Sequence, residues 1–158
     1  MNDYLLKLIQ KYRQKGILID TNLVLLYIVG SIDILRIREF SRTAMFTAND
    51  FYKVSKFIDY FDLKITTPHV LTEVSNLIGN RQNLPTLLQT YIEKSKEIFL
   101  ESSEVSKRNA FFNFGLADTA ITETAKGSYL VLTDDRPLYG FLINSQIDVV
   151  SLDLIRMI

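Results

Sequence analysis

The sequence lacks cysteine and has no excess of charge of either sign. Because none of the 158 residues is cysteine, disulfides and thiolate metal sites are excluded, and a cytoplasmic location is the expectation. Lys plus Arg and Asp plus Glu number 18 each, so the formal net charge is zero. Proteins that coat nucleic acid non-specifically are normally basic, so this balance argues against that class. It leaves room for an enzyme with a local basic patch beside an acidic site.

Proline and glycine are also scarce, with 3 and 6 residues. No repeat, low-complexity tract or Pro/Gly-rich linker interrupts the chain, so residues 1–158 predict a single domain. The longest apolar run, residues 23–29, is too short to span a bilayer. The N-terminus has no basic start followed by a long apolar stretch, so a secretory signal is not expected. The sequence therefore predicts a soluble protein with no membrane partner.

Short apolar segments alternate with amphipathic ones along the chain. Strands are predicted over residues 17–19, 63–66, 129–132 and 148–151. Helices are predicted over residues 3–14, 22–29, 31–46, 49–61, 68–78, 84–100, 106–113, 116–126 and 136–144. This alternation predicts an α/β fold with a mainly parallel central sheet flanked by helices. The apolar face of residues 4–12 is expected to pack on its own domain, and a homodimer through that face is the alternative.

Four acidic residues occupy positions that folding alone does not readily explain. Asp20 and Asp135 each follow an apolar strand, and Glu73 and Asp118 interrupt the apolar faces of predicted helices. In open α/β sheets, sites form at the carboxyl ends of the strands. Carboxylates gathered there repel one another unless a cation is bound. Because oxygen ligands select hard cations, the pattern predicts a site for Mg²⁺ or Mn²⁺.

Each acid also has a structural explanation. Asp20 and Asp135 could cap the helices that follow them, because Asp is a favoured N-cap residue. Glu73 and Asp118 would face the core, where a charge needs a partner. They could form buried ion pairs with Lys or Arg, or lie at a turn that leaves them exposed. Since four separate explanations would then be needed, one shared site is the preferred hypothesis.

Other residue types offer no competing chemistry. The only histidine, His69, is expected to be a surface residue in the first turn of its helix, and a lone histidine cannot make a zinc site. No glycine-rich phosphate loop of common spacing is present, so nucleotide-triphosphate chemistry has no support. Phe111, Phe112 and Phe114 are predicted to be core residues rather than a base-stacking platform.

The acids lie in four short segments of the chain. These are Ile19-Asp20-Thr21-Asn22, Thr67-Pro68 with Leu71-Thr72-Glu73-Val74, Leu116-Ala117-Asp118-Thr119-Ala120, and Leu132-Thr133-Asp134-Asp135-Arg136-Pro137-Leu138. Together they resemble the PIN-domain family of nucleases, which includes VapC-type toxin ribonucleases. The resemblance covers roughly residues 17–150. It implies a single PIN-like domain with an extra N-terminal helix in residues 1–15 and a helical insertion around residues 31–50.

The resemblance implies a metal-dependent endoribonuclease that hydrolyses phosphodiester bonds of an RNA substrate. Its catalytic and metal-binding quartet would be Asp20, Glu73, Asp118 and Asp135. Asp20 and Asp118 would bind the principal Mg²⁺ or Mn²⁺, Asp135 would share or support a second ion, and Glu73 would position the attacking water. Supporting roles are assigned to Asn22, Thr133 and Asp134. Pairing of a toxin with a small antitoxin protein is a further hypothesis.

Two other functions are weighed against this one. A phosphatase similar to the haloacid-dehalogenase group also places an Asp after the first strand. That group needs a second acid two residues later, where this chain has Asn22. The third reading is a catalytically silent PIN-like module that only binds a protein or RNA. The complete quartet argues against it.

Overall fold

The computed structural model describes residues 3–81 and 83–157, and its centre is a five-stranded, all-parallel sheet. The strands are β1 (Ile17–Ile19), β2 (Lys64–Thr66), β3 (Ser95–Glu97), β4 (Leu130–Thr133) and β5 (Val149–Ser151). Their order across the sheet is β3-β2-β1-β4-β5. In the central strand, Leu18 lies opposite Ile65 on one side and Val131 on the other. The predicted α/β fold class is confirmed.

Helices flank the sheet and connect its strands. In chain order they are α1 (Asp3–Tyr12), α2 (Thr21–Ile32), α3 (Arg36–Glu39), α4 (Ala48–Ile58), α5 (Pro68–Ile78), α6 (Leu84–Glu93), α7 (Ser102–Val105), α8 (Asn109–Ala125), α9 (Arg136–Asn144) and α10 (Leu152–Arg156). No helix in the described ranges is both long and apolar enough to cross a membrane.

The apolar pattern of the sequence accounts for the core. Strand β1 is wholly apolar and wholly buried because it lies at the centre of a sheet covered on both faces. On α1 the residues Leu5, Leu8, Ile9 and Tyr12 are buried in the same core. The expectation that this face packs on its own domain is confirmed, although Tyr4 is 45% exposed.

Three element predictions were wrong in detail. The helix predicted over residues 84–100 ends at Glu93, and the polar edge strand β3 follows it. Because the residues of β3 lie at the sheet edge and are mostly exposed, they lack the apolar alternation that marks a strand. Of the helix predicted over residues 31–46, only the single turn α3 forms. Helix α10, capped by the Ser151 hydroxyl at the amide of Leu154, was missed.

The parallel sheet places the two acids that follow strands, Asp20 and Asp135, at the carboxyl ends of neighbouring strands. All five strands point the same way, so the residues that follow β1 and β4 leave the sheet side by side. Thr67, which follows β2, caps α5 by accepting from the amide of Val70. Helices α2, α5 and α9 therefore all begin at the carboxyl ends of the strands, which is where sites form in sheets of this kind.

Candidate functional site

Asp20 is fixed in place by three hydrogen bonds at the carboxyl end of β1. It is only 3% exposed. Its Oδ1 accepts from the Leu23 amide at 2.9 Å and so caps α2. Its Oδ2 accepts from the Thr133 hydroxyl and, at 2.9 Å, from the Asp134 amide. The capping explanation is confirmed for Asp20, and its second oxygen also ties β1 to the loop after β4.

Asp135 and Asp134 extend this hydrogen-bonded unit. Asp135 Oδ1 accepts from the Leu138 amide at 2.7 Å and caps α9, so capping is confirmed here too. The Asp135 amide donates to the Thr133 hydroxyl at 3.0 Å. Asn22 Nδ2 donates to Asp134 Oδ1 at 3.2 Å. The three residues given supporting roles are thus the ones that connect the two strand-end acids.

The two helical acids lie in a different environment. Glu73 is exposed on α5, so the expectation that it faces the core is wrong; the helix turns this position towards a cleft. Its Oε2 accepts from the Thr21 hydroxyl at 2.8 Å. Asp118 on α8 is partly buried, and within the described residues its carboxylate has neither a hydrogen bond nor an ion pair.

A break in α8 sets the position of Asp118. As predicted by the separate helices over residues 106–113 and 116–126, α8 consists of two helical segments, which meet at Gly115, whose φ of 78° and ψ of −172° are not helical. This region of the φ/ψ map is essentially restricted to glycine. Asp118 therefore lies in the first turn after the break, and the Thr119 hydroxyl donates to the Gly115 carbonyl at 2.6 Å. In the sequence, the isolated Gly115 inside an apolar helical pattern is the feature that indicates this break.

The acids act on one another electrostatically. Burial, followed by the charges of Asp135, Glu73 and Asp134, raises the pKa of Asp118 to about 7. Burial and then the Asp134 charge hold the pKa of Asp20 well above its usual value. Burial also raises the pKa of Asp134. The predicted quartet and Asp134 thus form one electrostatic group, and none of its members pairs with Lys or Arg in the part of the chain described.

This donor set is compatible with a hard divalent cation, in a restricted sense. Among residues 3–81 and 83–157, no three His, Asp or Glu side chains are placed so that they could hold one ion together. Mg²⁺ commonly takes one or two carboxylates and keeps several waters. The unbonded carboxylate of Asp118 and the neighbouring Asp135 fit that smaller requirement. The four-acid metal site stays a prediction.

A cleft of about 600 Å³ opens beside the acids. Glu73 and Asp118 both line it. So does His69, whose Nε2 lies 2.9 Å from the Ser102 hydroxyl. Burial lowers the pKa of His69, which favours its neutral form at pH 7. His69 is partly buried in a cleft wall, rather than lying on the open surface as expected.

The neighbouring phenylalanines divide between core and surface. Phe114 packs on the core and contacts the Phe141 ring with centroids 5.0 Å apart, as predicted. Phe112 is 80% exposed, so its assignment to the core is wrong. Phe111 is only partly buried and stacks edge-on against Phe112.

No protein-family model matches this chain, and no curated protein matches it. The resemblance to PIN-domain nucleases therefore rests on the four sequence segments alone. Any function has to be inferred from the arrangement of the acids and the cleft.

Proposed function

We propose that the protein is a metal-dependent ribonuclease of the PIN-like type. One observation carries the proposal: acids from β1, α5, α8 and the loop after β4 form one electrostatic group with no Lys or Arg paired to it among the described residues. Close carboxylates without a counter-charge destabilise a fold. A bound divalent cation relieves that repulsion. The absence of cysteine supports the cytoplasm, where RNA is abundant, as the site of action.

Some side chains would hold the metal ion, and others keep those side chains in position. A divalent cation, when bound, lowers the pKa of a water molecule and offsets charge on a phosphate. Asp118 and Asp135 would hold it, because Asp118 has no other partner and Asp135 is its strongest charged neighbour. Asp20 fixes the loop that carries Asp135 through its bonds to Thr133 and Asp134.

Glu73 would orient the water that attacks the phosphate. Its Oε2 accepts from Thr21, while its Oε1 has no hydrogen bond within the described residues, and the residue lines the cleft. Thr21 lies directly after Asp20, so the same turn that fixes one acid also aims the other. Asn22 holds Asp134 in the same way.

The direct test is cleavage of labelled RNA with Mg²⁺ or Mn²⁺ and after addition of EDTA. We expect wild type to cut only with metal, and Asp118→Asn to be at least about 100-fold slower. Asp118→Asn is a cleaner variant than Asp20→Asn, because among residues 3–81 and 83–157 the Asp118 carboxylate has no hydrogen bond that the substitution could break. Asp59→Asn, a change at an exposed acid of the α4 C-terminus, is the matched control. Equal metal-independent activity in all three proteins would sink the proposal.

A non-catalytic binding module is the second candidate, and one observation favours it. Within the described ranges no three side chains are arranged to hold a metal ion. Calorimetric titration with Mn²⁺ separates the two functions: binding that Asp118→Asn removes supports the nuclease, and no binding at all supports the module. The phosphatase hypothesis gains nothing, since both Asp20 oxygens accept hydrogen bonds and the residue is almost fully buried.

Protein partners belong to the proposal as well. A small antitoxin chain that covers the cleft would block RNA from Glu73 and Asp118. A homodimer through the face of α1 has less support, because Leu5, Leu8, Ile9 and Tyr12 are buried within their own chain. Light scattering of the purified protein would show whether copies associate by another surface.

A further inference from the structure

An exposed aromatic ring also lines the cleft that contains Glu73 and Asp118. Phe99 follows β3 and is 76% exposed. It lines the same cleft as Glu73 and Asp118. Isolated exposed phenylalanines are ordinary on protein surfaces. Phe99 differs from Phe112, which is 80% exposed but does not line the cleft.

The chemistry of the cleft suits a flat, uncharged group. No Lys or Arg lines it among the described residues, so it offers no cationic side chain that could pair with a backbone phosphate. Leu77, Leu100 and Phe114 supply apolar surface. Thr72 and Asn76 supply uncharged polar groups from α5. A nucleobase has the matching character, with a π-face that stacks on aromatic rings and an edge that forms hydrogen bonds.

Asn76 is available to read such an edge. It is exposed on α5, one turn beyond Glu73. Its side-chain amide makes no hydrogen bond within the described residues. Because an amide both donates and accepts, it can pair with the edge of a base. Asn76 and Glu73 extend from the same helical wall, so a base held by Asn76 lies close to the reacting phosphate.

We propose that this cleft is a nucleobase-binding subsite, in which the Phe99 ring stacks on one unpaired base beside the scissile phosphate and Asn76 contacts the edge of that base. The inference rests on the proposed ribonuclease function for its polynucleotide ligand. Since a paired base cannot leave its stack without an energetic cost, the subsite selects single strands over duplexes. It makes Phe99 a specificity-determining residue outside the acidic group.

Binding and cleavage are measured on the same set of variants. The probe is a fluorescein-labelled 12-nucleotide RNA, either single-stranded or annealed to its complement. Anisotropy in the cleavage-deficient Asp118→Asn background gives Kd, and steady-state cleavage by the active protein gives KM and kcat. The variants are Phe99→Ala, Phe99→Trp and the matched control Phe112→Ala.

We expect Phe99→Ala to weaken single-strand binding roughly 10- to 100-fold, because stacking on one base is worth that much. The rise should appear in KM more than in kcat. Phe99→Trp should restore binding, and Phe112→Ala should leave it unchanged. Duplex binding should be weaker than single-strand binding and insensitive to all three changes. Asn76→Ala should reduce the preference among four oligonucleotides that differ in one base.

The outcomes separate this inference from the function it rests on. If wild type cleaves RNA while Phe99→Ala and Phe112→Ala behave alike, the subsite is refuted and the nuclease stands. If no protein cleaves RNA yet Phe99→Ala alone loses binding, the subsite stands and catalysis is refuted. Equal affinity of the Asp118→Asn protein for single strand and duplex overturns the subsite whatever the cleavage result.

Discussion

The acids at the strand ends and the acids on the helices have opposite relations to the fold. Asp20 and Asp135 each cap a helix, and Asp20 also binds the loop after β4. Glu73 makes one hydrogen bond to a neighbouring hydroxyl, and the carboxylate of Asp118 makes none within the described residues. The strand-end pair stabilises the structure at the same place where it would serve chemistry. Burial raises the pKa of both Asp20 and Asp118. Only Asp20 has hydrogen bonds that offset its burial, so the position of Asp118 among the described residues points to a role that folding does not supply.

Replacing Asp20 should give the largest loss of stability. Asp20→Ala removes the α2 cap and leaves the Asp134 amide and the Thr133 hydroxyl without their acceptor. We expect the free energy of unfolding to fall by roughly 3–5 kcal/mol, from one cap and two buried donors. Urea denaturation at pH 7 in EDTA measures it.

Asp33→Ala is the control for Asp20→Ala. Asp33 accepts a single hydrogen bond from the Leu35 amide at an exposed turn. Its loss should cost less than about 1 kcal/mol. Similar losses for both variants would show that Asp20 has no special structural role, and the contrast between the two kinds of acid would collapse.

Replacing Asp118 should have the opposite sign. Burial and the charges of Asp135, Glu73 and Asp134 raise its folded-state pKa from 3.8 to about 7. A carboxyl whose pKa is raised on folding contributes stability that is full below the unfolded pKa and is lost as pH rises through the folded one. In EDTA, wild type should therefore lose roughly 2–4 kcal/mol between pH 4 and pH 7.5 relative to Asp118→Asn.

Thermal unfolding of the two proteins at several pH values checks this expectation. The melting temperatures should agree near pH 4 and diverge as pH rises, with Asp118→Asn the more stable at pH 7.5. Added Mn²⁺ should close the gap by stabilising wild type alone, because binding to the folded state adds to its stability. A wild type that is the more stable protein at pH 7.5 without metal would contradict the assignment of Asp118 as an unpaired acid.

Sequence patterns predicted the strand-end side of this contrast well. Strand β1 is a continuous apolar run and Asp20 follows it directly, so both the buried strand and the cap could be read from local residues. The surroundings of the acids on the helices were harder to predict. Helical periodicity placed Glu73 on the apolar face of α5, but the orientation of that face depends on which neighbours cover it, and no local pattern encodes those neighbours.

The cleft could not be predicted from the sequence, for a related reason. Its Phe99 wall follows the edge strand β3, whose polar residues carry no strand signal. Its other wall depends on the direction of α8 after Gly115. Both features are set by tertiary packing rather than by local propensity. Phe99 is distinguished from any other phenylalanine only once the chain has folded.

The glycine break offers the smallest and most local test of how Asp118 is positioned. Gly115→Ala places a Cβ on a residue with φ of 78° and ψ of −172°. Apart from its chain neighbours and the backbone of its own helix, that Cβ meets no described atom within 4 Å, so the cost is backbone strain, about 1–3 kcal/mol. Gly140→Ala is the matched control: its Cβ also meets nothing within 4 Å, and Gly140 lies inside α9. Alanine there should stabilise the helix by about 0.5–1 kcal/mol.

If the strained Gly115→Ala variant straightens α8 instead, Asp118 moves away from Asp135. The pKa of Asp118, followed by carboxyl ¹³C NMR, should then fall from about 7. An unchanged pKa together with unchanged stability would mean that the break does not position the acid.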